Sequence, residues 1–271
     1  MPSACKRANP RSDMSVMKEG FTALALFDAP FENTLAIAQR DSFDTVELLC
    51  EGPYLPRLAL QNVKQFESAA SYDVEITLHA PTVDLNPASV NVGILEETAR
   101  QLQETLDLGV VLNASTITTH PGYVKRINDR ITALARGLTL ETLGEWADNS
   151  SALGISPAIE NMPNNSRYFC TDVREHALFV DRCGSYATID IGHAHTNSAV
   201  ADFMQARYPV AHYHISDNHG VRDEHLAVGD GTVDWTIIVG MHKAIIEVND
   251  YEAIIRSRKK LHSIGGNPTS I

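Results

Sequence analysis

Eight short β-prone runs, spaced by longer segments of helical periodicity, constrain the fold of this chain more than any other feature. They are "FTALALFD" (21–28), "TVELLC" (45–50), "VEITLHAP" (74–81), "STITTHPG" (115–122), "SPAIENMP" (156–163), "YATIDIGHAH" (186–195), "VAHYHISD" (210–217) and "AIIEVND" (244–250). Between them, stretches such as "NVGILEETARQLQETLDLGV" (91–110) and "YEAIIRSRKKLHSI" (251–264) repeat apolar residues every three or four positions, the period of a half-buried helix. Strands alternating with helices build βα units around a parallel sheet. Eight such units in 271 residues suit a closed (β/α)8 TIM barrel, an α/β architecture of about 250 residues. The competing open dinucleotide-binding sheet lacks its signature, since no G-x-G-x-x-G follows the first run.

We therefore expect a single barrel domain over residues 21–271, preceded by a short, loosely ordered tail over residues 1–20. That tail carries scattered positive charge but no apolar stretch of the kind a secretory signal needs. The longest apolar runs fall far below the roughly 20 residues of a membrane span. Four cysteines at wide spacings, with no C-x-x-C, read as reduced thiols of a cytoplasmic protein. With 34 acidic against 22 basic residues, the formal net charge is −12. That field repels polyanions, so nucleic acid and anionic membranes are disfavoured as partners unless a local basic patch overrides it.

The polar residues fall at one end of the predicted strands. The last six runs end in metal-competent side chains: His79, His120, Glu160, Asp190, His214 and Glu247. His193 follows Asp190 in "DIGH", and Asp223 and His225 follow in "RDEH". In a barrel, the C-terminal strand ends form the active face, and its groups come from several strands at once. Taken singly, His79 is a hydrogen-bonded strand-end histidine, Asp190 a helix cap and His212 a satisfied core histidine. Taken together, four carboxylates and five histidines on one rim call for cations. Imidazole with carboxylate and no thiolate suits zinc, manganese or iron. Glu160, Asp190, His214 and Glu247 would form one site with open positions, and the other five ligands a second and a third.

The motifs "LHAP", "HPG", "IEN", "DIGH", "HISD", "DEHLAVGDGTVDW" and "IIEVN", in this order at strand ends, resemble the xylose isomerase-like barrel superfamily. That group joins sugar-phosphate isomerases and epimerases with endonuclease IV, the AP endonuclease family 2. In the epimerase branch the resemblance implies one manganese-like ion on Glu160, Asp190, His214 and Glu247, with the two glutamates exchanging a proton on opposite sides of the substrate. In the endonuclease branch it implies three zinc ions. His79 and His120 would share Glu160 between the first and the second, Asp190, His214 and Glu247 would complete the second, and His193, Asp223 and His225 would hold the third. All nine residues are present. The loop "HAPTVDLNPAS" departs from the endonuclease branch, which carries a Tyr-Leu pair where Thr82, Val83 and Asp84 stand, and Asp84 opposes a phosphate. "VGDGTVDW" resembles the isomerase-epimerase branch, with Trp235 opening the next helix.

The expected function is a divalent-metal-dependent isomerase or epimerase of a small sugar, sugar phosphate or polyol. A proton would move through a metal-stabilised enediolate, with Glu160 and Glu247 as acid and base and His193 as a ligand or oxyanion donor. Between one and three zinc or manganese ions per chain would serve. The alternatives are a zinc-dependent phosphodiester hydrolase at abasic DNA and a non-catalytic barrel binding sugar or metal. His219 and Glu224 are expected to be solvated. None of these motifs encodes the oligomeric state.

Overall fold

A strand turns alternate residues to its two faces, and here that alternation separates two kinds of interior. The computed structural model describes residues 17–125, 128–238 and 240–265. Its strands are β1 (Lys18–Thr22), β2 (Thr45–Leu49), β3 (Glu75–His79), β4 (Thr116–Thr119), β5 (Ser156–Glu160), β6 (Tyr186–Asp190), β7 (Val210–Ile215) and β8 (Lys243–Ile246). Neighbours in chain order pair in parallel, and β1 closes on β8 with Gly20 opposite Ile245. The result is the eight-stranded barrel that the eight runs predict.

One face of β2 to β8 is aliphatic. Val46, Leu48, Ile76, Leu78, Ile117, Ile159, Ile189, Ile215 and Ile246 are buried in the main apolar core, each contributing about 1.5–3 kcal/mol by leaving water. The helices around them are α1 (Phe31–Arg40), α2 (Pro56–Gln61), α3 (Val92–Leu112), α4 (Asp129–Ala152), α5 (Val173–Cys183), α6 (Ile191–Thr196), α7 (Val200–Met204) and α8 (Tyr251–Gly265). Contact is close where α3 crosses the sheet. A Cβ on Gly109 would stand 3.0 Å from both Ile117 and Ile155. Side-chain caps define the helix starts: Asn91 accepts from Gly93 N, Asn128 from Ile131 N, and Asp172 from Arg174 N and Glu175 N. None of the described helices is long and apolar enough to cross a membrane.

The opposite strand face is polar. Glu47, Thr77, Thr118, Thr188, His212 and His214, from β2, β3, β4, β6 and β7, contact one another within the barrel and are fully buried. Hydroxyls and imidazoles there are stable only where they find partners. This polar column ends at the rim that carries the candidate site.

Four expectations shift. The first strand runs over Lys18–Thr22, and Ala23–Leu26 form a 3-10 turn. Gly20 sets that register, because any Cβ there would collide with Thr45 and Ile245. Residues 1–16 of the expected tail lie outside the described residues, whereas Lys18–Gly20 belong to β1. The sixth run ends at Asp190, which caps α6, so His193 and His195 are helical. Trp235 opens a 3-10 turn, Trp235–Ile237, and not a full helix.

Another buried histidine links helix to barrel. His176 of α5 donates through Nε2 to the Ile159 carbonyl and accepts at Nδ1 from the Tyr208 hydroxyl, both at 2.9 Å. Burial lowers its pKa to about 4, against a hydrogen bond to Ile159 that raises it. The unfolded chain therefore binds this proton first as pH falls. The contribution of neutral His176 is complete above about pH 6.5 and is lost down to about pH 4, roughly 3 kcal/mol in all. His176→Gln is expected to lower Tm at pH 7 and to flatten the stability decline between pH 6.5 and 4. Parallel pH profiles of the two proteins in chemical denaturation would contradict this.

Candidate metal centre

Glu160, the last residue of β5, is the hub of the rim. Its Oε2 lies 3.0 Å from His120 Nε2 and 3.3 Å from His79 Nε2, and its Oε1 lies 2.8 Å from His214 Nδ1. His214 Nδ1 is also 3.1 Å from Glu247 Oε2, just beyond β8. His193 Nδ1 stands 3.8 Å from Glu160 Oε1 and 3.9 Å from Asp190 Oδ1. On the loop after β7, Asp223 Oδ2 contacts His193 Nε2 at 3.3 Å and His225 Nε2 at 2.8 Å. All nine residues expected from sequence therefore meet in one continuous constellation. Potential donor atoms of Glu160, Asp190, His214 and Glu247 lie within 4.8 Å of one another, as do those of His79, His120 and Glu160.

Backbone carbonyls aim the imidazoles. His79 donates from Nδ1 to Ala80 O at 2.9 Å, His193 to Asn161 O at 2.8 Å, and His225 to Glu247 O at 3.0 Å. Each bond holds a proton on Nδ1, so that Nε2 is the nitrogen whose lone pair a cation would take on displacing its proton. Asn161 clamps β5 to β6. Its Oδ1 accepts from Asp190 N at 2.7 Å and its Nδ2 donates to Asp190 O at 2.9 Å. Asp217 organises the loop bearing Asp223 and His225. It accepts from the backbone N–H groups of Asn218, Gly229 and Val233 and from Trp235 Nε1, at 2.9 to 3.1 Å. Gly231 is required there, since a Cβ would collide with Asp217 and the Asn218 backbone.

The electrostatics fit a cation. Asp190 Oδ1 caps α6, accepting from His193 N at 2.5 Å, while Asp190 Oδ2 is buried without a partner. Burial, with further repulsion from Glu160, Asp223 and Glu247 against the attraction of His193, pushes the Asp190 carboxyl up to about 7. Burial would raise Glu160 too, yet His214, His120 and His79 hold it well below the usual carboxylate range. Burial disfavours His79 and His225 as cations, but Glu160 raises the first to about 9 and Asp223 raises the second to about 10. Asp223 Oδ1 is likewise buried and unpartnered. Two orphaned carboxylate oxygens among oxygen and imidazole donors match the ligand set of a divalent ion such as zinc or manganese.

His212 lies below the rim, with Nε2 3.1 Å from Thr118 Oγ1 and 3.3 Å from Glu47 Oε2. His219 is exposed as expected, whereas Glu224 is largely covered and pairs with His219 Nδ1 at 2.8 Å. Sequence reasoning passes over Glu47, Asn161 and Asp217. Glu47 carried a legible signal, a lone acid in the apolar run "TVELLC". A cavity of about 150 Å³ adjoins His120, lined by Thr82, Leu85, Tyr123 and Tyr168.

Comparison with known proteins follows the same lines. The model of the family described as xylose isomerase-like TIM barrel matches residues 35–245. An uncharacterized protein of Methanocaldococcus jannaschii is 28% identical over 252 residues, 90% of this chain and 84% of the relative. A crystal structure of a D-tagatose 3-epimerase-like protein superposes with a TM-score of 0.81 at 26% identity, covering 92% of this chain and 97% of the other. The IOLI protein with a bound zinc atom shares the fold, with a TM-score of 0.77 at 14% identity, over 94% of this chain and 100% of the other.

If Asn161 aligns Glu160, Asp190 and His193 as one unit, Asn161→Ala will weaken zinc binding by about 10–100-fold and lower Tm by several degrees. Calorimetric titration checks it, and a native zinc Kd in the variant would show that the clamp is dispensable.

Proposed function

This chain belongs to the xylose isomerase-like TIM barrel family, and from that premise we propose that it is a divalent-metal-dependent isomerase or epimerase of a small sugar, sugar phosphate or polyol. The observation that carries the reading is the unpartnered Asp190 Oδ2, buried among Glu160, His214 and Glu247. The likeness to a D-tagatose 3-epimerase-like protein over nearly the whole chain supports the choice of substrate class.

Glu160, Asp190, His214 and Glu247 would hold the cation, whose contribution when bound is Lewis-acid polarisation of a substrate carbonyl and the neighbouring hydroxyl. The two glutamates reach the centre from β5 and from the end of β8, two strands that are not neighbours in the barrel. Glu160 is 1% exposed and contacts His79, His120 and His214, whereas Glu247 is 15% exposed and contacts only His214 among them. Glu247 is thus the freer base and takes the proton from the carbon beside the carbonyl. Glu160 returns a proton from the other side, inverting that carbon or moving the carbonyl along the chain. His193 donates a hydrogen bond toward the oxygen where negative charge develops.

A specific observation also favours zinc-dependent phosphodiester hydrolysis at abasic DNA as a second reading. His79 and His120 converge on one oxygen of Glu160, and Asp223 bridges His193 and His225, giving donor sets for two further cations. The formal net charge of −12 and Asp84 in the loop after β3 weigh against it.

The reading is tested by incubating the metal-loaded protein with a panel of ketoses and ketose phosphates in D2O. Deuterium is expected at the carbon next to the carbonyl, abolished by EDTA and restored by manganese, zinc or cobalt. Glu247→Gln is expected to cut exchange at least about 100-fold with Tm retained, and native exchange in that variant would overturn the assignment. Incision of an abasic duplex, with no exchange on any sugar, would favour the second reading.

A further inference from the structure

Glu47 lies in the middle of β2, fully buried below the rim and outside the set of nine. A carboxylate there costs several kcal/mol unless its surroundings compensate it. One oxygen, Oε2, is served: Thr77 Oγ1 donates to it at 3.2 Å, and His212 Nε2 lies 3.3 Å away. The other, Oε1, is not. His214 Nε2 stands 2.8 Å from it, yet no hydrogen bond joins them, and both atoms are buried without a partner. Buried polar atoms facing each other in this state are rare and point to a missing group between them.

Strand β7 sends two imidazoles to this carboxylate. His212 and His214, two residues apart, share one face of the strand, with ring centroids 5.1 Å apart and planes 23° apart. Potential donor atoms of Glu47, His212 and His214 lie within 4.8 Å of one another, and all three residues are fully buried. Two ligand atoms held by one zinc ion at about 2.0–2.1 Å stand roughly 2.8–3.4 Å from each other. The spacings from Glu47 to His214 and His212, 2.8 and 3.3 Å, fall in that range. We propose that Glu47, His212 and His214 form a second cation site, inside the barrel beneath the rim, for a borderline divalent ion such as zinc.

The donor set carries the choice of ion. Two imidazoles and a carboxylate suit zinc, whereas calcium and magnesium prefer all-oxygen cages. The rim makes the need for charge sharper. A cation on His214 Nδ1 bars that ring from holding a second proton, so the ring cannot itself be the positive charge beside Glu47. Zinc on Nε2 supplies that charge. With an ion on each nitrogen, the last ring proton of His214 passes to the buffer, and the imidazolate joins the two centres.

The inference goes beyond the rim reading but shares His214 with it, and the test separates the two. Native crystals equilibrated with zinc are measured by anomalous diffraction on both sides of the zinc edge. A peak enclosed by Glu47, His212 and His214 is expected in addition to the rim peak. A rim peak with none beside Glu47 would overturn this inference and leave the metal reading standing. A peak beside Glu47 with none at the rim would do the reverse, and no peak at either place would overturn both. In solution, bound zinc per chain is counted after loose metal is removed. His212→Gln, which leaves the nine rim residues in place, is expected to hold about one ion fewer than native. Native zinc content in the folded variant would overturn the site, and if the variant fails to fold the native crystals decide.

Discussion

Glu160, a carboxylate buried at the barrel mouth, is the group on which the rest of the rim depends. Three histidine nitrogens lie within 3.3 Å of its two oxygens, each from a different strand or strand end. In a low-dielectric interior those contacts are strong, and removing any partner would leave an uncompensated charge. The position of Glu160 therefore ties β3, β4, β5 and β7 to one point. Asp190 brings to that point a buried oxygen, Oδ2, with no protein donor, and Glu247 brings a further carboxylate. The arrangement is over-supplied with anionic oxygen, and a divalent cation is the chemically simplest completion.

The supporting groups form two layers. Asn161 and Asp217 act on backbone: the first locks β5 to β6, and the second gathers N–H groups of the loop that carries Asp223 and His225. Glu47, Thr77, Thr118, Thr188 and His212 form a buried polar column beneath the rim. A column of aliphatic side chains is the usual filling of such a barrel. Here polar groups replace part of that filling, reaching up to His214 at the rim.

The alternation of β-prone and helical runs was enough to read the barrel, because parity along each strand and the helical period are local properties of sequence. The nine rim residues were legible for a related reason. Strand C-termini share one face, so His79, Glu160 and Asp190 had to lie near one another once the topology was known. Boundaries were less legible. The run 186–195 ran past its strand because Asp190 both ends β6 and caps α6, a choice made by one side-chain oxygen. Glu47 was visible as a buried acid but could not be assigned, since its partners His212 and His214 are more than 160 residues away in sequence. Asn161 and Asp217 act on backbone groups, whose demands become countable only when the loops have shape.

The most direct test of the central claim is anomalous diffraction from crystals equilibrated with manganese or zinc. The account predicts a peak enclosed by Glu160, Asp190, His214 and Glu247, with His214 coordinating through Nδ1. Full-occupancy peaks elsewhere and none among those four residues would contradict it.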